Sequence, residues 1–176
     1  MKPIVFDTTC VSHFARAGRL DVLDSVTRGW DRIIPNEVAA EIHRGVDSHP
    51  ALATVFSQSW LRIVELDMPE VVYAATFKGE LGGAPDAHLG ECAALAWVKE
   101  HGGLAIIDDS AACALADHHE VAFRGTLSLV VLGFKSDLVD RDAAERLVDE
   151  LASTDMRLPV DGAGLFAWAY SNGLLP

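Results

Sequence analysis

The sequence predicts an α/β sandwich in which helices cover both faces of a central, mainly parallel, five-stranded sheet. Short apolar runs alternate with longer segments of helical period along the chain, which is the pattern of successive parallel strands joined by helices. A length of 176 residues corresponds to a single domain. Half of the residues are hydrophobic and 23% are charged, so the chain can bury a sizeable core. We therefore expect one three-layer domain.

Strands are predicted at five short apolar runs that are bounded by turn residues. The first run contains Ile4-Val5-Phe6, and the fourth contains Leu104-Ala105-Ile106-Ile107. In chain order, the predicted strands span residues 2–6, 32–34, 62–66, 104–107 and 121–123. We expect the sheet to have the strand order 3-2-1-4-5, which places the first strand at its centre between the second and the fourth.

Helices are predicted where apolar residues recur every three or four positions. Glycines separate these segments, for example at Gly18, Gly29 and Gly125. In chain order, helices are expected at residues 9–17, 20–27, 36–44, 50–58, 69–78, 86–101, 110–118, 127–136 and 140–153, with a last one at 165–170. The sequence contains no repeat and no linker. We expect a single domain over residues 1–176, in which residues 140–176 form a C-terminal helical extension.

The chain is strongly acidic, with 26 Asp and Glu against 14 Lys and Arg and a formal net charge of -12. This balance argues against a protein that coats nucleic acid by charge alone, because the phosphate backbone attracts Lys and Arg. A polyanionic ligand would need local basic groups or a metal ion.

Cysteine usage and hydropathy predict a soluble protein of the reducing cytoplasm that has no membrane partner. Cys10, Cys92 and Cys113 are an odd number without C-x-x-C spacing, so neither a disulfide framework nor a thiolate zinc site is indicated. The N-terminus reaches Asp7 after three apolar residues, which is too short for a signal peptide. The apolar stretch 127–134 is far shorter than the roughly 20 residues that span a bilayer.

Acidic residues follow two of the predicted strands directly. Asp7 comes after the first strand, and Asp108 and Asp109 come after the fourth. Ligands of open α/β sheets bind at the carboxyl ends of the strands, and the first and fourth strands are expected to be neighbours. The three carboxylates would then face one another across one crevice. Each also precedes a predicted helix, so a capping role is the alternative explanation.

Glu91 lies on the predicted helix 86–101, where Leu95 and Val98 follow it by four and seven residues. It therefore shares their apolar stripe, unless it sits at the edge of the stripe and reaches water. A buried carboxylate without a partner is costly, so it takes up a proton, pairs with a cation or binds a metal. Glu41 follows the second strand on a helix with a less defined apolar face, and Glu37, one turn earlier, is its alternative.

Four or five converging carboxylates without comparable local bases repel one another unless a cation lies between them. Mg²⁺ and Mn²⁺ prefer oxygen ligands, whereas zinc fits such a set less well. A centre of this kind can activate water and stabilise the leaving oxygen of a phosphodiester. The acidic pattern therefore predicts a nuclease that depends on Mg²⁺ or Mn²⁺.

Four segments, taken in order, carry a family resemblance. Asp7-Thr8-Thr9 resembles the opening Asp-Thr/Ser-Ser motif of the PIN-domain nucleases. Residues 34–42 (IPNEVAAEI) resemble the second motif of that family, which ends in Glu. Residues 89–96 (LGECAALA) and 106–112 (IIDDSAA) are similar to the Gly-Glu-x-x-Ala-Leu helix and the strand-Asp-Asp-x-x-Ala ending of one PIN subgroup. The resemblance covers residues 3–137 and points in particular to VapC-like toxins of toxin–antitoxin pairs.

The resemblance implies a PIN-like fold and a metal-dependent endoribonuclease that is the toxin of a type II toxin–antitoxin system. The implied catalytic residues are Asp7, Glu41, Glu91 and Asp109. The implied ligands of Mg²⁺ or Mn²⁺ are Asp7, Glu91, Asp108 and Asp109, where we favour Asp109 over Asp108 for the last position. Thr9 and Ser110 are expected to support the site. Many toxin relatives carry Asp where this chain has Glu91.

RNA is the implied substrate, and Arg16, Arg19 and Arg44 are the predicted local contacts, although each is equally explained as a solvated charge. The resemblance also implies a cognate antitoxin protein and a homodimer. The acidity leaves open a PIN-like scaffold that binds a partner protein with little or no nuclease activity. A phosphoaspartate-type enzyme is less favoured, because Asp7 lacks a second Asp two residues later.

The seven histidines are scattered among predicted helices and loops, and we interpret them as surface or core residues. His118-His119 stands at a predicted helix end, where cationic imidazole suits the helix dipole. A metal site at this pair is not favoured by the sequence.

Overall fold

The computed structural model describes residues 1–176 and contains a five-stranded parallel sheet. The strands are β1 (Pro3–Phe6), β2 (Asp31–Pro35), β3 (Arg62–Val64), β4 (Leu104–Ile106) and β5 (Phe123–Arg124). Their order is β3-β2-β1-β4-β5, and each neighbouring pair is parallel. The predicted fold class and strand order are confirmed, and the sheet is parallel throughout.

Nine α-helices and one 3-10 helix surround the sheet. In chain order, the α-helices are α1 (Thr8–Arg16), α2 (Leu20–Val26), α3 (Asn36–Gly45), α4 (Met68–Leu81), α5 (Leu89–His101), α6 (Ser110–His118), α7 (Thr126–Lys135), α8 (Arg141–Ala152) and α9 (Leu165–Ser171). None of them is both long enough and apolar enough to cross a lipid bilayer.

Three predicted helices differ from the structure in type or by three residues at one end, and one of them, predicted at 69–78, continues to Leu81. Residues Pro50–Ser57 form a 3-10 helix, in which the hydroxyls of Thr54 and Ser57 each donate to the carbonyl three residues earlier. Such side-chain bonds compete with regular α-helical turns. The helix predicted at 86–101 begins only at Leu89, because His88 has a left-handed backbone with φ 59°. The third strand also ends earlier than predicted, and the fifth begins later.

Successive side chains of each strand point to opposite faces of the sheet, so an apolar core lies on each face. Ile4 and Phe6 of β1 belong to a core with α1, α2, α3 and α7. Val5, between them, faces a second core that contains buried side chains of α4, α5 and α6. The sheet is therefore covered on both faces, and the loops at its carboxyl edge are left to form a site.

The C-terminal residues pack on the first of these layers. Leu147 and Val148 of α8 and Leu165 and Phe166 of α9 are buried in the same core as β1. The ring of Phe166 meets that of Phe134 edge to face, with 4.8 Å between centroids. This packing carries the segment between α8 and α9 back towards the carboxyl edge of the sheet.

Candidate active site

Asp7 follows β1 directly and is fully buried. Its Oδ1 accepts a hydrogen bond of 2.8 Å from the backbone amide of Cys10, so it caps α1. Its Oδ2 is buried as well and has no hydrogen-bond partner. Burial, followed by the negative charge of Asp108, raises the pKa of Asp7 well above its ordinary value. Capping therefore accounts for one oxygen of this carboxylate and leaves the other without a partner.

The two aspartates after β4 have different surroundings. Asp108 accepts hydrogen bonds from the backbone amide of Thr126 at 2.9 Å and from its hydroxyl at 2.5 Å. Burial raises the pKa of Asp108, although these two hydrogen bonds oppose the shift. Asp109 caps α6, because its Oδ1 accepts a 2.8 Å bond from the amide of Ala112. Both carboxylates line the same cleft.

Glu41 connects three helices at the edge of the site. Its Oε1 accepts a 3.1 Å hydrogen bond from the amide of Gly90, and its Oε2 accepts one from the hydroxyl of Thr8. A Cβ at position 90 would lie 2.9 Å from both Glu41 Oε2 and Thr8 Oγ1, which explains why glycine stands there. Glu41 is thereby held beside Glu91. Glu37 makes no such contact, and it does not line the cleft.

Glu91 occupies the first turn of α5 and is half-buried. Its helix neighbours Ala94 and Leu95 are fully buried, but its own carboxylate reaches the cleft. Burial raises the pKa of Glu91, and the nearby charges of Glu41 and Asp109 add to that increase. Glu91 therefore lies at the edge of the apolar stripe and faces the other acids rather than bulk solvent.

The cleft has a volume of about 440 Å³, and no apolar residue lines it. Its lining residues are Thr9, His13, Glu91, Asp108, Asp109, Ser110, Asp155 and Arg157. The structure thus brings together Thr9, Ser110 and three of the five predicted acids at one surface. Asp7 is buried and its pKa responds to both Asp108 and Glu91, while Glu41 lies behind Glu91.

This donor set fits a hard divalent cation. All five predicted acids offer oxygen ligands, and the orphaned Oδ2 of Asp7 is a buried acceptor that a cation would satisfy. Burial raises the pKa values of Asp7, Glu91 and Asp108, and neighbouring carboxylates add to the shift at Asp7 and Glu91, so a bound cation would stabilise their charged forms. No three of these carboxylates have oxygens within 4.8 Å of one another, so binding through three of them requires side-chain rotation.

His13 lines the cleft, which its sequence position did not indicate. Its Nδ1 lies 2.6 Å from the hydroxyl oxygen of Thr154, and that hydroxyl donates its own proton to the carbonyl of Leu151. Nδ1 of His13 must therefore be the donor, which leaves Nε2 as an acceptor in the neutral ring. Burial, together with the charge of Arg16, lowers the pKa of His13 and favours that neutral form. In the sequence, only its spacing indicates this position: His13 follows Thr9 by four residues and therefore lies on the same face of α1.

Asp155 and Arg157 reach the cleft from the segment between α8 and α9, which no motif covers. Arg157 is exposed and takes part in none of the ion pairs of the structure. Of the arginines predicted to contact RNA, Arg16 pairs with Asp155 at 3.2 Å. Arg19 pairs with Glu150 of α8 at 2.6 Å, away from the cleft.

Arg44, the third predicted arginine, is exposed in the last turn of α3. Its position leaves it free to contact a ligand outside the cleft.

A second cavity of about 290 Å³ adjoins the cleft and shares Asp108 and Arg157 with it. Unlike the cleft, it has apolar walls, which include Leu127, Pro159 and Trp168. The carboxyl edge of the sheet therefore presents an acidic cleft and, next to it, a partly apolar recess with an arginine at their junction.

Comparison with known proteins gives one match. A family model that describes a PIN domain matches residues 3–163, which is nearly the whole chain. No curated protein and no solved structure matches. The sheet order β3-β2-β1-β4-β5 with helices on both faces agrees with the fold of that family. The chain therefore belongs to the PIN-domain family, whose members generally have a nuclease fold.

Proposed function

We propose that this protein is an endoribonuclease that depends on Mg²⁺ or Mn²⁺ and hydrolyses RNA phosphodiesters. The observation that carries the proposal is the buried, unpartnered Oδ2 of Asp7, surrounded by carboxylates whose pKa values are raised. If these carboxylates only formed structural ion pairs, a Lys, Arg or His side chain would be bonded to them, and none is. A bound cation would supply the missing partner of Oδ2 and would stabilise the charged carboxylates that burial disfavours.

In this proposal, Asp7, Glu91 and Asp109 hold the cation, and Asp108 supports the site through Thr126. The bound ion would act as a Lewis acid: it would neutralise the negative charge of the phosphodiester and lower the pKa of a bound water molecule. Glu41 keeps Glu91 in place, because it anchors the amide of Gly90 next to it. His13, neutral with Nε2 unprotonated, is available to accept a proton from the attacking water.

Arg157 is the proposed contact to the substrate phosphate, since it is the only Lys or Arg that lines the cleft. The adjoining recess with Trp168 suits an unstacked base, because aromatic side chains bind single-stranded nucleic acid by stacking. We therefore propose a single-stranded or looped RNA substrate. Arg16, Arg19 and Arg44 stay weaker predictions for RNA contact, because two of them are held in ion pairs.

The finer biological role rests on the resemblance to VapC-like toxins. We propose a cytoplasmic toxin of a type II toxin–antitoxin system, with a cognate antitoxin and a homodimer. Exposed apolar side chains on β3 and the start of α4 supply surface for one of these protein contacts: Ile63, Met68, Val71 and Val72. In the same proposal, residues 140–176 are an extension that completes the cleft through Asp155 and Arg157.

The proposal is tested by incubating antitoxin-free protein with a panel of structured RNAs in Mn²⁺, Mg²⁺ or EDTA. Asp7→Asn serves as the matched variant, because asparagine keeps the oxygen that caps α1. We expect cleavage in either metal, none in EDTA, and a loss of at least 100-fold in Asp7→Asn, as is typical when a catalytic electrostatic group is removed.

Calorimetry with Mn²⁺ on the same samples separates the other outcomes. Metal binding without cleavage would indicate that the panel lacks the target RNA. If the protein neither binds Mn²⁺ nor cleaves RNA, the nuclease proposal is wrong. A scaffold that binds a partner protein is then the better interpretation. Co-purification of a small neighbour-encoded protein would distinguish a toxin from a free RNA-processing nuclease.

A further inference from the structure

The ends of α4 and α6 bring together three side chains with metal-binding atoms, at the opposite end of α6 from the acidic cleft. Glu80 stands in the last turn of α4, and His118 and His119 stand at the end of α6. One ligand atom from each of the three lies within 4.8 Å of the others. The adjacent histidines are visible in the sequence, but Glu80 joins them only through the packing of the two helices.

His119 is held in position before any ligand binds. Its ring lies 4.8 Å from the ring of the fully buried Phe77 and 4.9 Å from that of His118. Its Nε2 is 3.0 Å from both carboxylate oxygens of Glu80. The side chain of His119 is 23% exposed and that of Glu80 is 41% exposed. A cation can therefore reach the group from solvent, and Glu80 and His118 can rotate towards it.

The chemistry of these atoms selects a particular class of ion. Two imidazoles and one carboxylate suit zinc and its neighbours in the transition series, whereas Mg²⁺ and Mn²⁺ prefer all-oxygen sets. With metal–ligand distances of about 2.0–2.2 Å, two ligand atoms on a tetrahedral zinc lie about 3.4 Å apart. The Nε2 to oxygen distance of 3.0 Å is close to that spacing. His118 needs a side-chain rotation to approach it.

Charges around the group do not block a cation. The ammonium of Lys99 bonds the backbone carbonyl of His119 at 2.8 Å, and Lys78 bonds the carbonyls of Gly82 and Ala84. Both lysines keep their positive charge, but these bonds direct their ammonium groups to backbone oxygens, and Asp117 and Glu120, which flank the histidines in sequence, add two negative charges.

We propose that Glu80, His118 and His119 form a binding site for a zinc-class divalent cation, with water completing the coordination. The site joins the end of α4 to the end of α6. It is separate from the acidic cleft, because α6 begins at the cleft and runs for nine residues, or roughly 13 Å, to His118. The proposal does not depend on nuclease activity.

A simple ion pair between Glu80 and His119 is the competing explanation, and His118→Asn distinguishes the two. The side chain of His118 makes no hydrogen bond or ion pair and meets His119 only through its ring, so its loss leaves the two Glu80–His119 hydrogen bonds and the packing of His119 on Phe77 in place. An ion pair needs no contribution from His118. A zinc site loses one of its three protein ligands, and its affinity falls.

The Zn²⁺ affinity of the EDTA-treated 176-residue protein is measured by competition with a chromophoric chelator. Asp7→Asn is the parent, so that the acidic cleft contributes as little as possible, and His118→Asn and Glu80→Gln are each added to it. His43→Asn is the control, because His43 is exposed on α3 away from the site. We expect one Zn²⁺ per parent chain and at least a tenfold weaker dissociation constant for both test variants, with no change in the control.

Thermal unfolding supplies a second measurement, since an ion that binds only the folded state raises Tm. Saturating Zn²⁺ is expected to raise Tm of the parent and of His43→Asn, and to raise it less in His118→Asn. The proposal is overturned if the parent binds no Zn²⁺, or if His118→Asn binds it as tightly and gains the same Tm increase.

Discussion

Thr126 donates two hydrogen bonds to Asp108, one to each carboxylate oxygen. These bonds tie the residue after β4 to the first turn of α7. The neighbouring Asp109 uses only one oxygen, to cap α6. The two adjacent aspartates look equivalent in the sequence but have different roles. Both oxygens of Asp108 accept hydrogen bonds, whereas Oδ2 of Asp109 accepts none and is available to a cation.

The first prediction compares these two aspartates. Asp109→Asn is expected to weaken Mn²⁺ binding by at least tenfold, because it removes the charge of a proposed ligand. Asp108→Asn is expected to weaken binding less, since the Asn oxygen can still accept the amide hydrogen bond from Thr126. Calorimetric titration with Mn²⁺ measures both. A larger loss in Asp108→Asn than in Asp109→Asn would show that the assignment of the ligand is reversed.

The second prediction concerns pH and Asp7. Its pKa is raised in the folded state, so the folded protein holds a proton that the unfolded chain releases near pH 4. In EDTA, the contribution of Asp7 to the stability of the wild type should therefore fall as pH rises from about 4 through the raised folded pKa, by about 1.4 kcal/mol for each pKa unit of difference. Asp7→Asn lacks this loss, so its advantage in the free energy of unfolding should grow with pH.

Urea denaturation at several pH values between 4.5 and 8 measures this advantage. The exposed residue Asp47 provides the control Asp47→Asn, which should parallel the wild type. Addition of Mn²⁺ should reduce the advantage of Asp7→Asn, because the ion stabilises only the wild type. A pH-independent difference between Asp7→Asn and wild type would contradict the assignment of a raised pKa.

The third prediction tests the contact between α3 and α5. In Gly90→Ala, the added methyl group meets Glu41 and Thr8 at 2.9 Å. We expect a loss of about 1–3 kcal/mol in stability, as for overpacking, and a displaced Glu41 that reduces RNA cleavage. Gly79→Ala is the matched control. No atom lies within 4 Å of a Cβ added at position 79, and alanine has a higher helix propensity than glycine within α4.

Circular dichroism melts and cleavage rates are compared for both alanine variants. Gly79→Ala should melt at or slightly above the wild-type Tm and keep full activity. Equal behaviour of Gly79→Ala and Gly90→Ala would mean that Glu41 and Thr8 do not pack closely against position 90.

The fourth prediction tests Arg157 as the phosphate contact. Arg157→Ala should raise KM for RNA and reduce the slope of log affinity against log salt concentration by about one, because one phosphate contact is lost. Arg28→Ala is the control, since Arg28 is also exposed and forms no ion pair but lies in the turn after α2. Fluorescence anisotropy with a labelled RNA and the Asp7→Asn protein measures binding without cleavage. An unchanged salt slope in Arg157→Ala would remove Arg157 from the substrate site.

The fifth prediction concerns a buried carboxylate outside the site. Glu70 of α4 is 1% exposed, and its Oε1 lies 2.5 Å from Nε2 of His101. Burial raises the pKa of Glu70, but the hydrogen bond and the charge of His101, together with backbone hydrogen bonds, outweigh burial and leave the pKa below its ordinary value. This contribution to stability is present above the unfolded pKa near 4.3 and is lost as pH falls through the folded pKa.

His101→Ala leaves Glu70 without a partner, so we expect a loss of about 1–3 kcal/mol at pH 7. His101→Gln keeps a donor and should lose less. Chemical denaturation measures both variants, and equal stability of His101→Ala and wild type would indicate that water replaces the imidazole. The double variant Glu70→Gln/His101→Ala should recover part of the loss, because no buried charge is left.

Several features of the fold and the site follow from local sequence patterns. The run Ile4-Val5-Phe6 predicted β1, and the alternation of strands and helices predicted a parallel sheet whose order is confirmed. Asp7 and Asp109 were recognised because a carboxylate after a strand and before a helix is a local signal, and both cap their helices. Element bounds were less predictable, as the 3-10 helix Pro50–Ser57 shows, because local side-chain bonds change the type of helix.

The sequence by itself determined the periodicity, the strand ends and the acids that follow them, because these depend on residues within a few positions of one another. Only the tertiary structure decided which distant residues meet. Thr8 bonds Glu41 across 33 residues, and Arg157 enters the cleft because α8 and α9 pack against the core. Glu80 reaches His119 across 39 residues because α4 and α6 pack on the same face of the sheet. Such contacts depend on the path of loops and on the packing of whole helices, and no local pattern records them.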